Sequence, residues 1–174
     1  MDYPKKVKYA MRKDLSQELL RELLKNSRRS DRELAKVLGV SQPTITRARR
    51  RLVSEGIVRT FTLIPDLAKM GYEIMAITLG KYRTASTSNR VERAAKYMYG
   101  FPNIIFASRC EGKGKNGVII SLHKNYSDYS SFINTLSKDW KDDMESHESL
   151  IVPLEGRVVK HLSFEYLADQ DEKS

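Results

Sequence analysis

The sequence predicts an α+β chain of two units, a helical unit first and a sheet-bearing unit of βαββαβ order second. Three observations predict this. Residues 30–58 read as two short amphipathic helices around a Gly-Val-Ser turn. Residues 72–164 alternate β-rich runs with two helical stripes. The charge divides at the same place: residues 1–60 hold 16 Lys and Arg against 7 Asp and Glu, while residues 61–174 hold 15 of each. The net +9 of the chain therefore belongs to the first unit.

In the first unit, Asp14 with Gln17 is a candidate cap for an opening helix whose Leu19, Leu20, Leu23 and Leu24 face its neighbours. Ser30 followed by Glu33 is a capping box, and Leu34, Ala35 and Leu38 continue at helical spacing until Gly39. Ser41 is the natural N-cap of the next helix, with Pro43 tolerated in its first turn. Ile45, Ala48 and Leu52 share one apolar stripe, Arg49 lies at its edge, and Gly56 ends the helix. The run 57–64, with β-branched and polar residues alternating, stands where the wing of a winged helix-turn-helix would be. Residues 1–62 are read as that domain, with a basic N-terminal arm.

The chemistry this pattern offers is nucleic-acid recognition. Arg47, Arg49, Arg50 and Arg51 crowd the second helix, as expected of a helix that enters a groove. Arg47 and Arg50 point away from the apolar stripe and are candidates for base-edge or phosphate contact; Arg51 lies on one flank. Gln42, Thr44 and Thr46 are placed to help read bases, and Arg59 to attract the backbone. The arm, Lys5, Lys6, Lys8, Arg12 and Lys13, is either a phosphate-contacting tail or a solubilising end. The competing reading is a plain three-helix unit with a solvated basic face, which the localised charge disfavours.

Residues 63–71 read as a hinge, 72–168 as a ferredoxin-like domain and 169–174 as a polar tail. Strand-like 72–82 is followed by the polar loop 84–89 and by a helix with Val91, Ala94, Ala95 and Met98 at i, i+3, i+4 and i+7, stopped by Gly100 and Pro102. Strands at 104–110 and 118–123 flank a turn at 112–117, and a helix from Ser127 carries Tyr129, Phe132, Ile133, Leu136 and Trp140. Strand-like runs at 150–152 and 158–164 close the order expected of a split βαβ arrangement. The charged stretch 138–149 carries no evident role. The turn 112–117 spells G-x-G-x-x-G, yet a strand follows it instead of a helix, so no dinucleotide site is expected. Lys113 and Lys115 are candidates to touch an acidic ligand from that loop.

Other classes are disfavoured. No window approaches the ~20 apolar residues of a membrane helix, and the single Cys110 excludes an internal disulfide framework. Both fit a cytoplasmic, nucleoid-associated protein. Paired carboxylates, a nucleophile triad and metal-ligand spacing are absent, so no enzyme, cofactor or metal is expected.

Both halves together resemble the leucine-responsive regulatory protein/AsnC (Lrp/AsnC) family of prokaryotic regulators. The pattern S-x-x-E-L-A-x-x-L-G-V-S, a T-[VI] pair, an arginine cluster and G-[IV]-[IV] is met by Ser30, Glu33, Leu34, Ala35, Leu38, Gly39, Val40, Ser41, Thr44, Ile45, Gly56, Ile57 and Val58. The hinge 64–67 and the run 70–76 resemble the family's linker and first strand. The resemblance implies a sequence-specific transcriptional regulator that binds semi-palindromic double-stranded DNA. It also implies a homodimer formed through a RAM-like C-terminal domain, extending to a tetramer or octamer. Ala48 and Arg49 depart from the family, which usually carries arginine and an aliphatic residue there. The loop 112–117 lacks the aspartate of the G-x-x-D pattern that relatives use for amino acids, which leaves a small-molecule effector open. Two alternatives share the architecture or the charge: a siroheme-decarboxylase-like enzyme, for which His123, His147 and His161 show no shared spacing, and a nonspecific architectural DNA-binding protein.

Overall fold

The computed structural model describes residues 15–83, 88–156 and 158–168. Asp14, the basic arm and the tail 169–174 lie outside the described residues. The described chain divides into two compact units, one spanning Pro65–Lys160 and one formed by the residues up to 64 together with 161–168.

The helical unit holds α1 (Leu15–Lys25), α2 (Asp31–Leu38) and α3 (Gln42–Ser54). Its core is Leu19, Leu23, Leu34, Ala35, Ile45 and Leu52, with Leu38, Ala48, Ile57 and Val58 packed around it. The leucines at helical spacing thus converge as their periodicity predicts. The expected wing does not form a hairpin: residues 57–64 run without strand pairing, tied back through the Val58 amide donating to the Leu52 carbonyl. They contain no turn that would bring back a second strand. The run 158–164, expected to close the sheet, is not a strand either. Pro153 ends the last strand, Gly156 at φ +76° turns the chain, and a short 3-10 turn at Glu165–Leu167 packs on α1. Residues 161–168 therefore belong to the helical unit and not to the domain 72–168.

The sheet unit has the predicted βαββαβ order. Its elements are β1 (Ile74–Tyr82), α4 (Ser88–Tyr99), β2 (Ile104–Gly112), β3 (Lys115–His123), α5 (Tyr126–Asp139) and β4 (Met144–Pro153). All neighbouring strands are antiparallel, in the order β2-β3-β1-β4. The helix stripe of α5 is buried as its spacing predicts: Tyr129, Phe132, Ile133, Leu136 and Trp140 pack with Ala76 and Ile119 of the sheet. On α4 the inward face is Ala94, Tyr97 and Met98, while Val91 and Ala95 are exposed. Tyr97 takes the place because its ring meets Trp140 and Phe101 and its hydroxyl donates to Asp139 Oδ2 at 2.8 Å. The stretch 138–149 resolves into the end of α5, a turn, and the start of β4 at Met144, six residues earlier than its first apolar run suggests.

Gly80 and Gly117, paired across β1 and β3, are needed by a close approach: a Cβ at either would stand 2.6 Å from the ring of Tyr82. That ring meets Trp140 edge-on, with centroids 6.0 Å apart.

The opposite face of the sheet is also apolar. The registers align Phe106, Ile120, Ile77 and Leu150 in one row across all four strands, flanked by Met75, Leu79, Val118 and Val152. Phe106 and Leu150 are more than half exposed.

His123, at the end of β3, is fully buried between Tyr129 and Phe132, with Nε2 2.8 Å from the Ser121 hydroxyl and Nδ1 3.8 Å from Asp128. Burial pushes its pKa below the ordinary 6.5, and the Asp128 carboxylate opposes the shift. Lys124, the neighbouring cation, lies over the ring of Tyr72. As pH falls, the unfolded chain takes up this proton before the folded one does. The stability contributed by this neutral ring is thus complete above about pH 6.5 and declines below it. Melting followed by circular dichroism should give a lower midpoint at about pH 5.5 than at about pH 7.5. His123→Gln, which can still bond Ser121, should remove part of that difference; an identical difference in the variant would show that this ring does not carry it.

Candidate nucleic-acid interface

The interface is built by two short helices and the turn between them. Ser30 Oγ accepts from the Glu33 amide and the Glu33 carboxylate accepts from the Ser30 amide at 2.7 Å, so α2 starts with both end groups satisfied. Gly39 adopts the left-handed conformation at φ +67° and stops the helix. Ser41 occupies the N-cap position of α3 with an extended backbone, but its hydroxyl pairs with the Thr44 hydroxyl at 2.8 Å instead of capping an amide.

On α3, Ile45 and Leu52 are completely buried against α1 and α2, which turns the opposite side of the helix outward. Gln42, Pro43, Arg47 and Arg50 stand there, all exposed. Among the described residues, Arg47 and Arg50 make neither a hydrogen bond nor an ion pair, so two permanent cations one turn apart are left for an external anion or base edge. Arg51 is exposed but bonds Glu55 through Nε at 2.7 Å, an i,i+4 pair within its own helix. Arg59 is exposed beyond the end of α3.

The threonine hydroxyls both have partners within the unit. Thr44 is half-buried and shares its hydroxyl with Ser41. Thr46 is also half-buried, and its hydroxyl donates to Asp31 Oδ2 at 2.6 Å and lies 3.2 Å from the Gln42 carbonyl. Its proton is thus committed to a carboxylate, and its oxygen is left only as an acceptor. Asp31 was not singled out from the sequence, yet it organises the site: its other oxygen accepts from Arg49 Nε at 2.8 Å. The Thr46 bond, with Arg49 beside it, holds the Asp31 carboxyl below the usual carboxylate range. The signal for this contact was the arginine at position 49, at the edge of an otherwise apolar stripe.

In the sheet unit the two loop lysines part company. Lys113 is exposed at the tip of a two-residue hairpin, with φ +50° beside Gly114 at +69°, a type I′ turn. Lys115 is not in a loop: it belongs to β3, is buried, and pairs with Glu148 at 3.0 Å and Ser146 at 3.1 Å. The G-x-G-x-x-G string is therefore a hairpin that continues directly into β3. A cavity of about 350 Å³ lies at Arg93, Tyr97, Asp139, Trp140, Asp142 and Asp143. Its polar side chains bond one another in the pairs Arg93–Asp143 and Tyr97–Asp139. Among the described residues there is no group of His, Cys, Asp and Glu that could hold a metal ion, and no helix long and apolar enough to cross a membrane.

Comparison with known proteins agrees with the geometry. Residues 12–59 match the family model described as winged helix-turn-helix DNA-binding. The chain is 35% identical over 94 residues to the HTH-type transcriptional regulator LrpC of Bacillus subtilis, a match covering 54% of this chain and 62% of that protein. It is 40% identical over 74 residues to an uncharacterized HTH-type transcriptional regulator of Pyrococcus horikoshii, covering 42% and 49%. The sequence matches thus span half to three-fifths of those relatives. The crystal structure of the Pyrococcus protein superimposes with a TM-score of 0.73 at 26% identity, over 88% of this chain and 99% of that one. LrpC gives a TM-score of 0.67 at 25% identity, over 84% and 97%. A Neisseria meningitidis regulator solved as an L-Met complex shares the fold, with a TM-score of 0.71 at 19% identity over 88% and 97%.

Proposed function

We infer that this chain, which has a helix-turn-helix and a ferredoxin-like sheet similar to those of the Lrp/AsnC transcriptional regulators, is itself a sequence-specific DNA-binding transcriptional regulator. The observation that carries the reading is the pair of exposed, unpaired guanidinium groups of Arg47 and Arg50 on the outward side of a helix whose other side is fully buried. Arginine forks suit guanine edges and phosphates equally, and Gln42 near the helix start suits adenine. Arg59, Arg51 and the basic arm add backbone attraction that weakens with salt.

The working unit is a homodimer. The apolar row Phe106, Ile120, Ile77 and Leu150 is a surface that a lone soluble protein would leave wet, and a second copy of the same face covers it. Two α3 helices then meet successive major grooves about 34–36 Å apart, which favours a semi-palindromic site. Further assembly to a tetramer or octamer is compatible with this arrangement. The relatives that match are named as regulators, and we assign no catalytic step. The Neisseria regulator binds L-Met; the hairpin tip here, Gly112-Lys113-Gly114, has no aspartate for an ammonium group, so any effector of this chain is held differently. We place the protein in the cytoplasm, on the nucleoid.

Selection from a pool of randomised DNA duplexes by the full chain tests the reading. Enrichment of a two-fold related sequence with half-sites about one helical turn apart is expected. Binding of every duplex alike would make it an architectural protein instead.

A further inference from the structure

We propose that Arg49 is a positioning residue for the reading face of α3, gripped by Asp31 and covered by Phe61, and that Thr46 belongs to this device and not to the base contacts; the proposal rests on the reading of α3 as the DNA-recognition helix. Asp31 is the first residue of α2 and divides its carboxylate between two residues of α3, Oδ1 to Arg49 Nε at 2.8 Å and Oδ2 to Thr46 at 2.6 Å. Arg49 then spans outward. Its Nη2 donates to the Arg29 carbonyl at 3.1 Å, ahead of α2, and its guanidinium lies 5.7 Å from the ring centroid of Phe61, beyond α3. One half-buried side chain thus ties α3 to the start of α2 and to the segment that follows α3.

Such a device has a use that the apolar core cannot serve. Packing of Ile45 and Leu52 is non-directional and tolerates a small roll of the helix. Turning a helix by about 20° moves a tip about 5–6 Å from its axis by about 2 Å, enough to break a bidentate base contact. Charge-assisted hydrogen bonds from two positions of α3 to one carboxylate oppose that roll, because they are directional. The α2 N-terminus also favours the carboxylate that accepts them. Arg49 itself is then turned away from the side that carries Arg47 and Arg50.

The test compares the wild-type chain with Arg49→Met, which keeps the stem and removes the guanidinium, and with Asp31→Ala, which leaves the arginine in place. Each is titrated by fluorescence anisotropy, across a salt series, against the duplex enriched by the wild type and against poly(dI–dC). Both variants are expected to lose about tenfold or more in affinity for the enriched duplex, the discrimination carried by one bidentate base contact. Affinity for poly(dI–dC) should move only slightly and with the net charge, down in Arg49→Met and up in Asp31→Ala, and the slope of log K against log salt should change by well under about 0.9, since no phosphate contact is removed. Selection repeated with either variant should return flatter base preferences.

Wild-type discrimination in both variants overturns the proposal. A slope reduced by about 0.9 per helix in Arg49→Met alone, with weaker poly(dI–dC) binding, also overturns it by making Arg49 a phosphate contact. Circular dichroism shows whether each variant folds; should Arg49→Met fail, Asp31→Ala and Thr46→Val decide by the same two readouts. A wild type that enriches no sequence removes the recognition-helix reading, and this proposal with it.

Discussion

Alanine at both Arg47 and Arg50 is expected to abolish discrimination between the selected duplex and other DNA while leaving the chain folded. Each bidentate arginine contact to a base carries about 1–3 kcal/mol, so losing two from one helix lowers affinity by at least about thirtyfold. A dimer loses them twice. Neither side chain is buried and neither bonds a described residue, so truncation opens no cavity and strands no partner. Their removal also relieves repulsion between two like charges one turn apart, and the melting temperature should hold or rise slightly. The salt series separates the two roles. If Arg50 touches phosphate, Arg50→Ala alone lowers the slope of log K against log salt by about 0.9; if it reads a base, the slope stays and only discrimination falls. Unchanged affinity of the double variant in the anisotropy titration would remove α3 as the recognition helix.

The second large effect is on assembly. Ile77→Asp places a carboxylate in the middle of the apolar row on β1, where the proposed dimer would set it against its own copy across a two-fold axis. The lost burial is about 1.5–3 kcal/mol for each isoleucine, and enclosing an unpaired charge costs several kcal/mol more per copy. The dimer dissociation constant should rise by more than about a thousandfold. Sedimentation velocity at micromolar concentration should then show a monomer. Ile77 alternates with Ala76 and Thr78, which face the helices, so the substitution sits on the other side from the core and the monomer should keep its strand content. DNA affinity should fall as well, because the second half-site no longer benefits from being tethered to the first. A variant that sediments like the wild type would show that the dimer uses another surface.

What could be read from residues alone follows a physical rule. The capping box at Ser30 and Glu33, the stop at Gly39 and the stripe of α5 were legible because caps and helical periodicity are local and act within a few residues. The first half of β4 was not, although the run 150–152 within it was, because it is an edge strand: Glu145, His147 and Glu148 keep such an edge soluble, and in sequence they look like a loop. Lys115 looked like a loop residue because three of its four nearest neighbours, Gly114, Asn116 and Gly117, are turn formers. Its burial depends on Glu148 and Ser146, some thirty residues away. At the interface, exposure of Arg47 and Arg50 follows from their angle to Ile45 and Leu52. The fate of Thr46 does not: it points outward on a helical wheel and is withdrawn by a carboxylate on another helix. A wheel locates a side chain around its own axis and is blind to what the next helix offers it.

The ring of Tyr82 occupies the space where Gly80 and Gly117 would otherwise carry a Cβ. A side chain at either glycine would force the ring to move, and losing the ring takes from Trp140 one of its two edge-on neighbours. The choice of residue at positions 80 and 117 is therefore conditional on the residue at 82. Among descendants of this chain a side chain at either glycine is expected only where the tyrosine has already been replaced.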